Sequence, residues 1–351
     1  MTAPLPALLD YPFAGPPGPG ETIEVAPRLL WLRMPLPFAL DHINLWLVAE
    51  ADGFVLVDCG YGNAATRAVW EAHFATTLSD RPIRRIIATH CHPDHVGNAA
   101  WLAARFGAPV MMTHAEFLTA HALVGQHSGY ALAGTVDLFR RHGMPAADCA
   151  ALDARGNQYK RGVPEMQMSF VRLQDRDRVP AGGTFWRVVE GHGHSPEHAS
   201  LYAEARGILI SGDMLLPRIS TNVSVTPVEP DCDPLGRFLD SLAAFDALPP
   251  DTLVLPSHGL PFRGIALRTA QLRAHHAARL AELVAAVAAG PAGGMSAHDL
   301  VPVLFRRELD VQQRFFAMGE TIAHLNHLLH SGRLERRAAA DGTLRFTIRA
   351  T

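Results

Sequence analysis

The chain has 351 residues, of which 48% are hydrophobic and 19% charged, and its formal net charge is -3. That composition supports a full core and excludes a disordered chain, while the near balance of charge excludes a general attraction to nucleic acid or to an anionic membrane. Lys160 is the one lysine, so arginine carries nearly all the positive charge.

The opening stretch MTAPLPALLDYPFAGPPGPG is rich in Pro and Gly, and residues 1–21 are read as a flexible arm. It lacks a basic start followed by an apolar stretch, so no secretion signal is expected, and no apolar run is long enough to span a bilayer. Cys59, Cys91, Cys149 and Cys232 form no CxxC pair and no disulfide framework, so a reducing cytoplasm is the expected setting. Short apolar runs follow: IEVAPRLLWLRMPL, INLWLVAE, GFVLVDCG and IRRIIATH. Their Val, Ile, Leu and Trp content predicts buried strands. HVGNAAWLAARFG predicts a helix, and PVMMT a short strand.

Residues 114–165 change character. HAEFLTAHALVG and GTVDLFRRHG predict helices, and the polar DARGNQYKRG follows, so an inserted helical cap is expected. Strand signals return in FWRVVEGHGH, HASLYAE, GILISGD and TLVLPSHG, with a helix at LGRFLDSLAAF before the last. This alternation predicts an α/β protein of layered sheets over residues 22–267. Beyond it come three predicted helices, RTAQLRAHHAARLAELVAAVAAG, MSAHDLVPVLFRR and FFAMGETIAHLNHLLHSG, then a hairpin of RLERRA and TLRFTI. Three helices and a hairpin predict a winged-helix-like domain over residues 268–351.

The chemistry concentrates in His90-Cys91-His92-Pro93-Asp94-His95, at a predicted strand-to-helix junction. Two histidines separated by one residue face the same way on extended backbone and can meet one metal. Asp94 and His95, at the turn into the helix, can face a second. Imidazole and carboxylate together suit zinc, with iron and manganese as alternatives. Further ligand types stand at the ends of apolar runs: His194 in GHGHSPEH, Asp213 ending ILISGD, and His258 ending LVLPSH.

The ordered set HxHxDH, GHSPxH, SGD and PSHG, with Asp58 of VLVDCG as a DxG element, resembles the metallo-β-lactamase superfamily over residues 22–265. The resemblance implies two face-to-face sheets with helices outside, an αββα four-layer sandwich. It implies His90, His92 and His194 on one metal, Asp94, His95 and His258 on a second, and Asp213 shared between them. Asp58 and His198 would act from behind the ligands, orienting them. His192 is given no role, and Cys91 is read as a small buried filler.

The chemistry expected is direct hydrolysis by a water activated between two divalent ions, with Asp94 and Asp213 as catalytic carboxylates and no covalent intermediate. The C-terminal stretch GETIAHLNHLLHSGRLERR strengthens a resemblance to the glyoxalase-II-like, lactamase-B2-like group. A small-molecule ester or thioester is therefore expected, of acyl-CoA, acyl-glutathione or lactone type. Phe117, Tyr130 and Phe139 of the cap are candidates for an apolar wall, and Arg140, Arg141, Lys160 and Arg161 for phosphate contacts. Single-strand RNA cleavage is the alternative, with Arg333, Arg336, Arg337 and Arg345 as the basic face. A mono-iron persulfide dioxygenase and a winged-helix regulator are further readings. No membrane partner is expected, and self-association is left open.

Overall fold

The computed structural model describes residues 8–350, with Ser128 as backbone alone. Seven strands form the first sheet in chain order: β1 (Ile23–Ala26), β2 (Leu29–Pro35), β3 (His42–Ala49), β4 (Phe54–Val57), β5 (Ile83–Ile87), β6 (Val110–Thr113) and β7 (Val171–Leu173). β1 to β4 pair antiparallel, and β4 to β7 pair parallel. The second sheet runs β12-β11-β10-β9-β8, built from β8 (Arg178–Ala181), β9 (Thr184–Gly191), β10 (His198–Ala203), β11 (Ile208–Gly212) and β12 (Leu253–Pro256).

The two sheets face each other because their strands are apolar on both sides. In β3, Trp46 and Val48 point into the space between the sheets, where Trp31 stacks on Trp46 at 6.0 Å. Leu45 and Leu47 of the same strand point the other way. They meet α1 (Ala64–Ala75), α2 (Pro93–Val96) and α3 (Ala99–Phe106). The inner faces of β9 to β12 supply Trp186, Val188, Leu201, Ile210 and Leu255 to the shared core. The outer face of the second sheet is covered by α8 (Pro234–Asp246) and by α9 (Ile265–Ala289). The result is the four-layer αββα sandwich.

Between β6 and β7 the chain makes α4 (His114–Gly125), α5 (Leu132–Arg141), α6 (Ala146–Asp153) and α7 (Gln158–Gly162). After α9 come α10 (Ala297–Leu304), α11 (Val311–His330) and the antiparallel pair β13 (Leu334–Ala338) and β14 (Leu344–Ile348), with Met295 bridging to Phe346. The core outside the second sheet continues without a break from Phe238 and Leu242 into Ile322, Leu325 and Phe346. α9 itself crosses the predicted boundary at 267/268: Arg273 pairs with Asp246 at 2.7 Å, and Arg268 donates to the Ile219 carbonyl at 2.7 Å.

The N-terminal segment, expected as a loose arm, is fixed over its described part. Asp10 bridges to Arg263, and the Phe13 ring meets Trp31 edge-on at 6.3 Å. Leu9 and Tyr11 also pack on the core, so apolar side chains among the prolines hold it down. Residues 1–7 of that arm lie outside the described residues. No helix among the described residues is long and apolar enough to cross a membrane.

Candidate metal centre

The fold carries its ligand-type residues to one end of the facing sheets. Asp58 follows β4, the segment His90–His95 follows β5, His194 lies between β9 and β10, Asp213 follows β11, and His258 follows β12. Strand ends are where a layered α/β fold leaves side chains free of the core.

Seven side chains meet there. His90 Nε2 lies 2.9 Å from His92 Nδ1 and 3.1 Å from His194 Nε2. Asp94 Oδ2 lies 3.6 Å from His95 Nε2 and 3.4 Å from His258 Nε2. Asp213 spans the two groups: its Oδ1 is 3.5 Å from both His95 and His258 Nε2, and its Oδ2 is 3.5 Å from His194 Nε2. Donor atoms about 2.0–2.2 Å from a tetrahedral ion stand about 3.3–3.6 Å apart, so the 3.4–3.6 Å spacings around Asp94 and Asp213 fit a metal better than hydrogen bonds. The buried His95 Nε2 and Asp213 Oδ1 have no hydrogen-bond partner within the protein, which a cation would supply. The cluster can therefore bind metal ions.

The far ring nitrogens are already engaged, so the near ones point inward. His95 Nδ1 donates to Asp58 Oδ2 at 2.8 Å. His194 Nδ1 donates to the Asn222 carbonyl at 2.7 Å, and His258 Nδ1 to the His42 carbonyl at 2.8 Å. His90 Nδ1 lies 3.0 Å from Thr89 Oγ1, which itself donates to Asp58 Oδ2 at 3.0 Å. Asp58 also accepts from Thr89 N at 2.8 Å, and it holds a φ of 61 to do so. A non-glycine residue in that region is strained, and strain of this kind gathers at functional sites. His198 is fully buried, and its Nε2 accepts from Asp213 N at 3.1 Å. Its ring lies so close to Gly212, with φ 54, that a Cβ there would sit 2.3 Å from it. The glycine of SGD is thus required by packing as well as by conformation.

The electrostatics differ between the two halves. Burial and the neighbouring imidazoles hold His90 far below the usual range and bring His92 down to about 3. Burial would also lower His258, but Asp213 and Asp94 outweigh it and raise it to about 10. Burial opposes ionisation of Asp94, yet His95 and His258 lower it to about 2. His90 and His92 are thus held as neutral imidazoles, and His258 holds a proton that a cation would displace.

Two supports came without a sequence signal. Glu116 of α4 is fully buried and accepts from Cys91 N at 2.9 Å, Ser195 Oγ at 2.6 Å and Glu197 N at 2.8 Å, so it joins both histidine loops. Tyr159 of α7 donates to the Cys91 carbonyl. Cys91 itself is buried, and burial followed by Glu116 pushes its thiol far above the usual range, so it presents no thiolate. Tyr61 stands beside the cluster: burial raises its phenol, nearby Arg161 opposes that, and Asp94 adds to it.

Several cap residues expected at the substrate lie elsewhere. Phe139 is in the core, edge-on to Phe315 of α11 at 5.7 Å, because α5 uses its apolar face to dock on the C-terminal helices. Phe117 stacks on Phe170 at 4.0 Å. Arg140 is exposed and pairs with Asp137 at 2.9 Å, and Arg141 is exposed. Among the described residues no hydrogen bond or ion pair ties the side chain of Tyr130 or Lys160 to the cluster. Of the C-terminal arginines, Arg336 pairs with Asp231 at 2.7 Å and Arg337 with Glu335 at 2.8 Å, while Arg345 lies 3.9 Å from Asp299. Acids on the same surface thus neutralise much of the expected basic face.

Known proteins resemble this chain in sequence and fold. Residues 39–258 match the Metallo-beta-lactamase superfamily, and residues 280–349 match the family described as Metallo-beta-lactamase-like, C-terminal domain. The solved structure of a beta-lactamase domain protein from Burkholderia ambifaria is 48% identical, with a TM-score of 0.90, covering 97% of this chain and 98% of that one. The probable metallo-hydrolase YqjP of Bacillus subtilis is 25% identical over 85% of this chain and 91% of its own length. The atrochrysone carboxyl ACP thioesterase of Passalora fulva is 21% identical over 93% of this chain and 80% of its own. With the family match running from β3 to His258 and the histidine–aspartate cluster in place, the chain belongs to the metallo-beta-lactamase superfamily.

Proposed function

We propose that this metallo-hydrolase uses two divalent ions to cleave a small-molecule ester or thioester, of acyl-CoA, acyl-glutathione or lactone type. His90, His92 and His194 would hold one ion, Asp94, His95 and His258 the other, and Asp213 both. The observation that carries this is the Asp213 carboxylate, whose two oxygens face the two groups at 3.5 Å each. Zinc suits the donor set, with iron and manganese as alternatives. Such a pair supplies Lewis acidity and brings the acidity of water toward neutrality.

The chain's own residues supply the rest. Asp94, fully ionised at neutral pH by His95 and His258, accepts the proton of the attacking water and returns one to the leaving group. Cys91 and Ser195 do not compete as nucleophiles, because the thiol is buried and the Ser195 hydroxyl donates to Glu116. The likeness to an ACP thioesterase over most of both chains favours the thioester. The pairing of Arg336, Arg337 and Arg345 with acids disfavours RNA, and the complete Asp94–His95–His258 group disfavours a mono-iron centre.

Counting metal per purified chain and assaying a panel of acyl thioesters, lactones and single-stranded RNA tests the reading. Two ions and thioester or lactone turnover are expected. One iron with persulfide turnover, or RNA cleavage alone, would replace it.

A further inference from the structure

We infer that the C-terminal domain positions His194 through Glu320 and Asn222, so that affinity for the ion held by His90, His92 and His194 depends on a residue of the last long helix. The inference rests on reading those three histidines as a metal site.

His194 Nδ1 donates to the main-chain carbonyl of Asn222 at 2.7 Å, and this bond aims its Nε2 at His90. Asn222 lies in the irregular stretch between β11 and α8, where no strand ladder fixes a peptide plane. Its carbonyl direction must be set by other contacts, and α11 supplies them. Asn222 Nδ2 donates to Glu320 Oε2 at 3.1 Å, and Val225 N approaches the Gly319 carbonyl at 3.4 Å. Ser224 Oγ donates to Asn222 Oδ1 at 2.8 Å and closes the loop on itself. The approach is close: a Cβ on Gly319 would sit 2.9 Å from Ser224 Oγ. Thr221, the residue just before Asn222, donates to the carbonyl of Asp213. The helix thus braces a loop whose adjacent residues Thr221 and Asn222 touch Asp213 and His194.

Glu320 touches no reacting atom, so it is a positioning residue. Removing such outer support costs about 10–100-fold in metal affinity. The contact also has a defined polarity, because the amide donates and the carboxyl accepts. N222D removes the donor and sets one carboxyl against another. Adding E320Q restores a bond of reversed polarity, with the new amide donating to the new carboxylate.

The test uses the full chain loaded with zinc and challenged with rising chelator, counting ions retained per chain by native mass spectrometry, with thermal unfolding run alongside. In N222D and E320A, one of two ions should be lost at tenfold or more lower chelator than in the wild type, the second following as before. The N222D/E320Q double variant should return to within about threefold of the wild type. Equal retention in folded N222D and E320A, or a double variant as weak as N222D, would overturn the inference. E320Q alone covers a failure of E320A to fold, since its amide oxygen still accepts from Asn222, and it should retain both ions as the wild type does. A wild-type chain that binds no ion would instead overturn the metal reading itself.

Discussion

Asp58 and His95 form a buried pair at 2.8 Å, the carboxylate accepting from Nδ1 while Nε2 faces Asp94 and Asp213. The same carboxylate takes the backbone N–H and hydroxyl of Thr89, so one side chain sets both the ring and the loop that carries it. D58N keeps a residue that tolerates the positive φ but loses the charge and one acceptor. Affinity for the ion at Asp94, His95 and His258 should fall about 10–100-fold, with little change at the three-histidine group. Chelator competition reads this directly, and an unchanged profile would separate Asp58 from the metals.

Asp213 serves both groups, so its loss cannot be confined to one. D213A should reduce turnover to that of metal-stripped protein and weaken retention of both ions. Loss of only one ion in elemental analysis would show that the carboxylate is not shared.

Glu116 satisfies three buried donors from two loops. E116A leaves all of them unpaired and should cost about 3 kcal/mol or more in unfolding free energy. E116Q, which keeps one acceptor but turns an amide toward donors, should cost about 1–3 kcal/mol. Denaturant titration at fixed metal concentration measures both, and a cost below about 0.5 kcal/mol would remove Glu116 from the support of the site.

Acid should destabilise the fold through histidines outside the centre. Burial holds His73, His142 and His324 down at about 4, and His276 at about 3. In the unfolded chain they take up protons near pH 6.5, while the folded chain refuses them until pH nears 4 or below. Stability is therefore complete above about 6.5 and falls as pH drops from there toward 4. Each such histidine contributes up to about 1.4 kcal/mol per pH unit to the slope. H73L should flatten the loss by about one histidine's share, measured by denaturant unfolding between pH 7 and 4.5. A parallel slope would show that His73 is not buried as a neutral ring.

The metal-capable cluster was legible because several of its members follow apolar runs, as Asp213 closes ILISG, His258 closes LVLPS and His90 follows IRRIIAT. Strand ends announce themselves when both faces of a strand are buried. Helix α1 went unread: its stripe of Trp70 and His73 is weak, and the Asn63 cap that starts it follows a glycine-rich turn. The short strands β7 and β8 were also missed, since VRL and RVPA carry too few apolar positions. Glu116 and Tyr159 left no trace because their partners, main-chain atoms at Cys91 and Glu197 and the Ser195 hydroxyl, are distant in sequence. Phe139 misled for a related reason: a helix that covers a site and one that docks on a neighbouring domain show the same apolar face.

The segment between β6 and β7 cannot swing as a door. Glu116 grips one histidine loop and its neighbour, Tyr159 grips the same loop from the other side, and Gly162 lies against Gly62 and Gly97 with no room for a side chain. Any outward swing would drag the histidines with it and open the centre to water. These helices therefore serve as a foundation for the centre, and substrate must enter without displacing them.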